Sequence, residues 1–425
     1  MAWIFYMLFS YGFFFWTTKS IKYSSITPIG EYLIGIILLT IFVSVIWKKD
    51  YSKKMRDGVI IAALFMNIGL SIAYRMSEES KGFLSLANLR KTYAGDLIMM
   101  LLMFLLVYSV VRWTKIYRFR TINILILIGL PTVIFGARLS SHMVGGSYLY
   151  FAGIMIFGWV LFGFPFVAAF LIDQKEDFYW NGNVRNLSWN LMLLLLYTFI
   201  LYIGCVVCNE FGLLLILGLT TTVLFSIRCK NGFTKVFYTA VCASGALLAG
   251  FKITHLWERI LIWLHPSAVY GDANLGEKAE SILYLFRHIY QMGWWGNGIG
   301  NLPKSIYPTL NTDHALVTLM NDYSVWMAIS VLLLSVIFVR WMLFRTENLC
   351  TYDRYLNLTC ALIVCFIILI DVASNLGSFI TAGIGFPWIS DGSSVNIMLT
   401  GLMAIHCGLL GKKVNTYAQN ETQTF

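Results

Sequence analysis

The chain has 425 residues, 58% of them hydrophobic and 12% charged, with a formal net charge of +10. A soluble globular chain carries about 25% charged residues, so this composition excludes a soluble fold of this size. The positive charge sits in short segments between apolar runs, where it sets orientation and meets anionic lipid headgroups; no basic stripe for nucleic acid stands apart from them.

Twelve apolar runs follow one another, at 2–17, 32–47, 58–74, 97–112, 122–137, 148–172, 188–208, 211–227, 236–251, 314–339, 355–371 and 395–411. Their lengths suit a bilayer core. They predict an all-α, polytopic transmembrane bundle of about twelve spans with one large extracytoplasmic loop. The first run, MAWIFYMLFSYGFFFW, has no basic lead and no small-residue cleavage site, and reads as a retained helix. Most Lys and Arg residues collect in segments 48–56, 112–120, 228–235, 340–354 and 411–415. All five fall on one side if every run spans. The positive-inside rule makes that side cytoplasmic, places both termini there, and puts 252–312 outside. Within that loop, WERILIWLHP and ESILYLFRHIYQMGWWGNGIG predict short amphipathic helices and a glycine-rich turn. A loop of this length that keeps its apolar periodicity is usually functional, and it can lie on the membrane surface with its aromatics at headgroup level. Residues 412–425 form a polar tail. Of the eight cysteines, Cys205 and Cys208 make a CxxC pattern with no second pair or nearby histidine, and read as small packing residues.

The segment YPTLNTDHALVTLMNDY (307–323) places Asp313 at the mouth of a span and Asp322 inside it. Asp313 either caps the helix that follows or serves chemistry at the membrane boundary. An acid inside a span costs at least a few kcal/mol, so Asp322 should face a polar cavity or a cation. Nine residues at about 100° each set the two carboxylates on opposite helix faces, which argues against an acid/base dyad. In GWWGNGIGN (293–301), Gly296, Gly298 and Gly300 permit tight turns and close approach to a ligand. No Lys-Ser/Thr follows, which excludes a Walker phosphate loop. GFPWISDGSS (385–394) sets Ser393 and Ser394 directly before the last span, as a turn with a helix cap or as a polar site. In CNEFG, Glu210 either caps a helix or faces an outer cavity.

In order and spacing, these stretches resemble the SEDS family of polytopic cell-wall proteins (the FtsW, RodA and SpoVE relatives). NEFG is similar to the family's PDLG turn, QMGWWGNGIG to its GSGGxxGKGLG loop, NTDHALVTLMNDYS to HTDFIFAxxAEELG, GIGFPWISDGSS to GxPLPFxSYGGSS, and FGAR (135–138) to NGARRW. The chain departs from the pattern at Asn297, Asn311, Asn321 and Asp391-Gly392, and YLYFAG (148–153) stands where the family has QPSE. The resemblance divides the chain into two additional N-terminal helices at 1–56, serving association or stability, a ten-span core at 57–411, and the tail at 412–425.

The resemblance implies a peptidoglycan glycosyltransferase of the bacterial cytoplasmic membrane. Such an enzyme joins lipid II units, disaccharide-pentapeptides on undecaprenyl diphosphate, at the outer face beside a class B penicillin-binding protein. Asp313 matches the family's essential aspartate and becomes the candidate general base. Arg259 and Arg138 are candidates to hold the diphosphate, each read alternatively as an interfacial arginine. Glu210, Gly296, Gly298, Gly300, Asp322, Ser393 and Ser394 complete the candidate substrate site. Glu258, Asp272, Glu277 and Glu280 are the acids next in line. No cofactor is implied with certainty, and a divalent cation stays open. Three other classes also stay open: an O-antigen ligase or polysaccharide polymerase, a transporter or lipid flippase, and a non-catalytic scaffold.

Overall fold

A computed structural model describes residues 2–20, 27–48, 53–76, 93–140, 150–151, 154–173, 188–229, 231–268, 276–299, 312–343, 349–390 and 393–410. A backbone in lipid must satisfy its own N–H and C=O groups, and a helix does so within one segment. Helix accordingly forms in each of the twelve apolar runs. In chain order these are α1 (Ala2–Ser20), α2 (Thr27–Lys48), α3 (Lys53–Met76), α4 (Tyr93–Trp113), α5 (Arg120–Ser140), α6 (Ile156–Ile172), α7 (Trp189–Cys208), α8 (Phe211–Arg228) and α9 (Gly232–Gly250). Two loop helices follow, α10 (Thr254–Leu264) and α11 (Gly276–Gln291). The chain then returns to the bundle through α12 (Ala315–Asp322), α13 (Val325–Leu343), α14 (Thr351–Asn375) and α15 (Ser393–Leu410). Among the described residues, nine helices are long and apolar enough to cross a membrane, and α6 and α15 are shorter apolar helices. The chain is a multi-pass helical membrane protein.

Two runs are not single helices. The run at 314–339 breaks between Asp322 and Val325, where the polar stretch Asn321-Asp322-Tyr323-Ser324 interrupts it. Within the 148–172 run, Tyr150–Phe151 and Ile154–Met155 pair as two short antiparallel strands, Tyr150 opposite Met155 and Phe151 opposite Ile154, and helix begins at Ile156.

α14 and α15 occupy the middle of the bundle. α15 packs along α4 and α6, while α14 packs against α6, α8 and α13. The N-terminal pair is joined to this core, with α1 lying against α2 and α3. Phe13 and Trp16 bracket the Tyr323 ring, at centroid distances of 4.7 and 5.2 Å, and the Thr17 hydroxyl lies 3.2 Å from the Tyr323 hydroxyl. α1 therefore touches the break between α12 and α13.

A polar cluster ties the end of the bundle opposite the loop. A 3-10 turn (Ile116–Arg118) meets the start of α14, where the Arg118 guanidinium pairs with Asp353 through both carboxylate oxygens. The Tyr117 hydroxyl donates to Asp353 at 2.9 Å, and the Tyr352 hydroxyl reaches Asn123 Oδ1 at 2.9 Å. Two of the basic segments, 112–120 and 340–354, thus share one end of the molecule, as the loop pattern requires. Asp353→Ala is expected to destabilise the fold by about 1–3 kcal/mol, because it strands a partly buried guanidinium and a buried phenol. A lowered midpoint of thermal unfolding in detergent is the check, with Asp353→Glu retaining most of the stability.

Candidate functional site

The site is built where the two loop helices meet the end of α14. α10 is amphipathic: Leu256 and Ile262 are buried, while Trp257, Leu261 and Leu264 face outward. The Trp263 indole N–H donates to the Gly377 carbonyl at 2.8 Å, and the half-buried Arg259 guanidinium donates to the Thr381 carbonyl at 2.7 Å. These bonds fasten the loop to the turn that leaves α14. Further along that turn, the chain presses against the residue before Asp313. A Cβ on Gly385 would fall 3.0 Å from the Thr312 carbonyl and 2.7 Å from Ser390 Cβ, so only glycine fits.

Asp313 lies one residue ahead of His314, the N-cap of α12, and the cap makes no side-chain hydrogen bond. Asp313 is therefore not the N-cap. Its main chain is held from α14: the Asn375 amide donates to the Asp313 carbonyl at 3.0 Å and to the Asp371 carbonyl, one turn earlier, at 2.9 Å. The Asp313 side chain is half-buried. The loss of water pushes its carboxyl above the ordinary carboxylate range, against the pull of the His314 and Arg259 charges and a hydrogen bond from Thr312. Burial lowers His314 in turn, and the neighbouring Asp313 opposes that. A carboxylate with raised basicity beside a cation, at the end of a membrane bundle, can accept a proton from a hydroxyl while an anionic group is held close by.

Asp371 was missed in the sequence, and it sits in this cluster. It is fully buried, and neither carboxyl oxygen has a hydrogen-bond partner among the described residues. The signal is present: FIILIDVASN carries an acid inside an apolar stretch, but Asp371 is the last residue of the 355–371 run, where an acid reads as the end of a span.

The other candidates distribute as follows. Glu210 is buried and is the N-cap residue of α8, after Asn209 closes the α7–α8 turn in the left-handed region at φ 58°. Its side chain makes no capping bond. Glu210 and Arg138 both act on the Cys208 thiol, so they lie together at the α5–α7 ends, with Arg138 exposed. The 382–384 segment reaches this region too, since a Cβ on Gly212 would fall 2.8 Å from the Ala382 carbonyl. Gly296 and Gly298 form a clamp on the helix break. The N–H groups of Asn297 and Gly298 donate to the Asn321 carbonyl at 2.8 and 3.2 Å, and the Val325 N–H donates to the Trp294 carbonyl at 3.1 Å. Asp322 joins this second network: Asn321 donates to its Oδ1 at 2.8 Å, and His288 Nε2 lies 2.8 Å from Asn321 Oδ1. Asp313 and Asp322 thus belong to separate sets of contacts. The Ser394 hydroxyl donates to Met155 Sδ at 2.9 Å. Gly300, Asp272, and the side chains of Glu277 and Ser393 lie outside the described residues. Glu258 is partly buried beside Arg259, and Glu280 is exposed. Among the described residues, no three acidic, His or Cys side chains gather as a metal site.

Neither a protein-family model nor a curated relative matches the sequence. Solved structures do. A chain of a peptidoglycan synthase complex that coordinates polymerisation and crosslinking matches with a TM-score of 0.63 and 14% identity, over 85% of this chain and 98% of that one. The rod-shape-determining protein RodA of Thermus thermophilus, and a variant of it with one aspartate changed to alanine, each match with a TM-score of 0.53 and 12% identity, over 85% of this chain and 97% of theirs. The chain therefore has the polytopic helical fold of RodA, with additional length of its own.

The glycine clamp predicts a sharp effect. Gly296 has φ 72°, and a Cβ there would fall 2.5 Å from the Asn321 carbonyl oxygen. Gly296→Ala should lose about 1–3 kcal/mol and loosen the loop from the α12–α13 break. Limited proteolysis of the loop should then quicken, whereas Gly293→Ala, with open space around its Cβ position, should leave the rate unchanged.

Proposed function

We propose that the protein is a SEDS-type glycosyltransferase that polymerises a polyprenyl-diphosphate-linked disaccharide, lipid II, at the outer face of the bacterial cytoplasmic membrane. The observation that carries this reading is the placement of Asp313. In a RodA-like fold, it stands where the large loop closes on the bundle, with raised basicity and the Arg259 charge beside it.

In the reaction, an acceptor sugar hydroxyl attacks the anomeric carbon of the donor. The new glycosidic C–O bond forms as the bond from that carbon to the diphosphate oxygen breaks. The electron pair leaves with the polyprenyl diphosphate, and the hydroxyl proton passes to Asp313. Arg259 is the cation nearest to stabilise the charge that develops on the diphosphate. It keeps one guanidinium nitrogen on the Thr381 carbonyl, which aims the rest of the group. The aromatic outer face of α10 suits the headgroup layer in which such a substrate lies. The partner consistent with the synthase-complex relative is a class B penicillin-binding protein.

One observation bears on the transporter alternative, because broken helices mark transport sites. The break here lies at the loop end: α13, after it, is by itself long and apolar enough to cross a membrane. The glycine turn at 293–298 clamps this break, which favours the glycosyltransferase reading.

Asp313→Asn keeps the shape of the side chain and removes the basic oxygen. Loss of a general base lowers the rate about 10²–10⁴-fold, whereas a capping role would leave Asn nearly as good as Asp. Purified wild type and variant, matched for folded protein, are incubated with labelled lipid II and their glycan chains are separated by gel. The proposal expects chains from the wild type and none above background from Asp313→Asn. Polymerisation by the variant at the wild-type rate would remove Asp313 as the base.

A further inference from the structure

The break between α12 and α13 is held from two sides. The loop holds its flanks: the N–H groups of Asn297 and Gly298 donate to the Asn321 carbonyl, and the Val325 N–H donates to the Trp294 carbonyl. The residue between them, Tyr323, is the C-cap of α12, and its ring lies against α1. Phe13, Trp16 and Thr17 stand three and four residues apart and so share one face of α1. Phe13 lies tilted on the Tyr323 ring at 4.7 Å, and Trp16 meets it edge-on at 5.2 Å. The Thr17 hydroxyl gives its one hydrogen to the Phe13 carbonyl at 2.8 Å. In its 3.2 Å contact with the Tyr323 hydroxyl, therefore, the phenol donates and Thr17 accepts. Both side chains are buried, so no water replaces this bond if it opens.

α1 is itself anchored away from the break. The Trp3 indole N–H donates to the Ser44 hydroxyl of α2 at 3.2 Å. Phe14 packs edge-on against Tyr32 of α2 at 5.1 Å, and Tyr32 stacks on Tyr74 of α3 at 5.3 Å. Against this anchored helix, α12 is a short lever of eight residues, roughly 12 Å long. It begins two residues after Asp313. Asn375 holds the Asp313 end through the main-chain carbonyl, and Tyr323 holds the other end. Over that length, a swing of about 10° at the break carries the Asp313 end about 2 Å. A misplacement of about 1 Å at a reacting group can lower a rate about 100-fold.

We infer that α1 is a positioning element of the site: Phe13, Trp16 and Thr17 grip Tyr323 from the side opposite the loop, fix the angle of the break, and so keep the glycine clamp closed and α12 aimed. Thr17 and Tyr323 are its positioning residues, acting on Asp313 through α12. The inference rests on the reading of Asp313 as the base. It gives the N-terminal helices a task in the reaction that a mere addition of membrane spans would not have. The clamp and α1 hold neighbouring residues of one short segment, so loosening either one should loosen the other.

Thr17→Val removes the acceptor at nearly constant shape, and Tyr323→Phe removes the donor while keeping the ring. In each folded variant, limited proteolysis of the loop in detergent should quicken about three- to fivefold, because cleavage follows the population of the opened clamp. The kcat of lipid II polymerisation should fall about tenfold, with KM within about twofold of wild type. Thr17→Ser keeps the oxygen and should return both values to wild type. The double variant should be no worse than either single one, since the same bond is lost once. Tyr238→Phe is the control: it removes another buried phenol bond, to the Ser188 carbonyl at the start of α7, and should leave loop cleavage and kcat unchanged. A purely structural α1 predicts that Thr17→Val behaves like Tyr238→Phe. Unmoved loop cleavage in Thr17→Val and Tyr323→Phe overturns the inference whatever the rates, and so does an unmoved kcat in an active enzyme. The cleavage measurement needs no substrate. If it responds as expected while the wild type makes no glycan, the hold of α1 on the break stands and the substrate reading fails.

Discussion

Taking a carboxyl group out of water costs several kcal/mol unless something replaces the lost solvation, and the loop end of this bundle is arranged around that constraint. Asp313 and Asp371 occupy a place that water reaches poorly. Arg259 supplies the compensating charge, while burial holds His314 toward its neutral form. Arg259 can do so only because α10 is fastened to the turn after α14 through the Thr381 and Gly377 carbonyls. The turn follows its path only because Gly385 lets it pass against Thr312. Loop, turn and acid are therefore one construction, and the long loop is as much a part of the site as the aspartate.

The second network has a different task. The glycine turn at 293–298 takes the open carbonyl of Asn321 and supplies one to Val325, satisfying backbone groups that the break between α12 and α13 would otherwise leave without partners. Its position beside Tyr323 brings α1 into the same assembly, through Phe13, Trp16 and Thr17. The N-terminal helices thus bear on the segment that ends near Asp313, eight residues along α12 from the break.

The bundle was legible because lipid leaves a chain few options. Apolar runs of span length become helices, and all twelve did. The exceptions were written in polar residues that hydropathy averages away. Asn321-Asp322-Tyr323-Ser324 marks the break, but apolar residues on both sides hide it. The paired strands Tyr150–Phe151 and Ile154–Met155 carry no charge to set them apart from the helix that follows. At the site, Asp313 could be singled out from sequence because it stands at the mouth of an apolar run and matches a motif of the resembled family, and Arg259, in the middle of α10, only as an outer-face cation that the resemblance calls for. That Asp371 lies near the Asp313 segment could not be read without knowing that Asn375 ties the two main chains together across 62 positions of chain. The glycines gave the reverse difficulty: their pattern suggested a ligand, and their positive φ angles serve a helix break.

The central claim is that the space beside Asp313 and Arg259 receives the reacting end of a polyprenyl-diphosphate sugar. Cryo-electron microscopy of the protein with a non-hydrolysable lipid II analogue tests it most directly. The account predicts diphosphate density against the Arg259 guanidinium, with the anomeric carbon within reach of an acceptor hydroxyl at Asp313. Analogue density seated elsewhere, with Asp313 and Arg259 untouched, would contradict it.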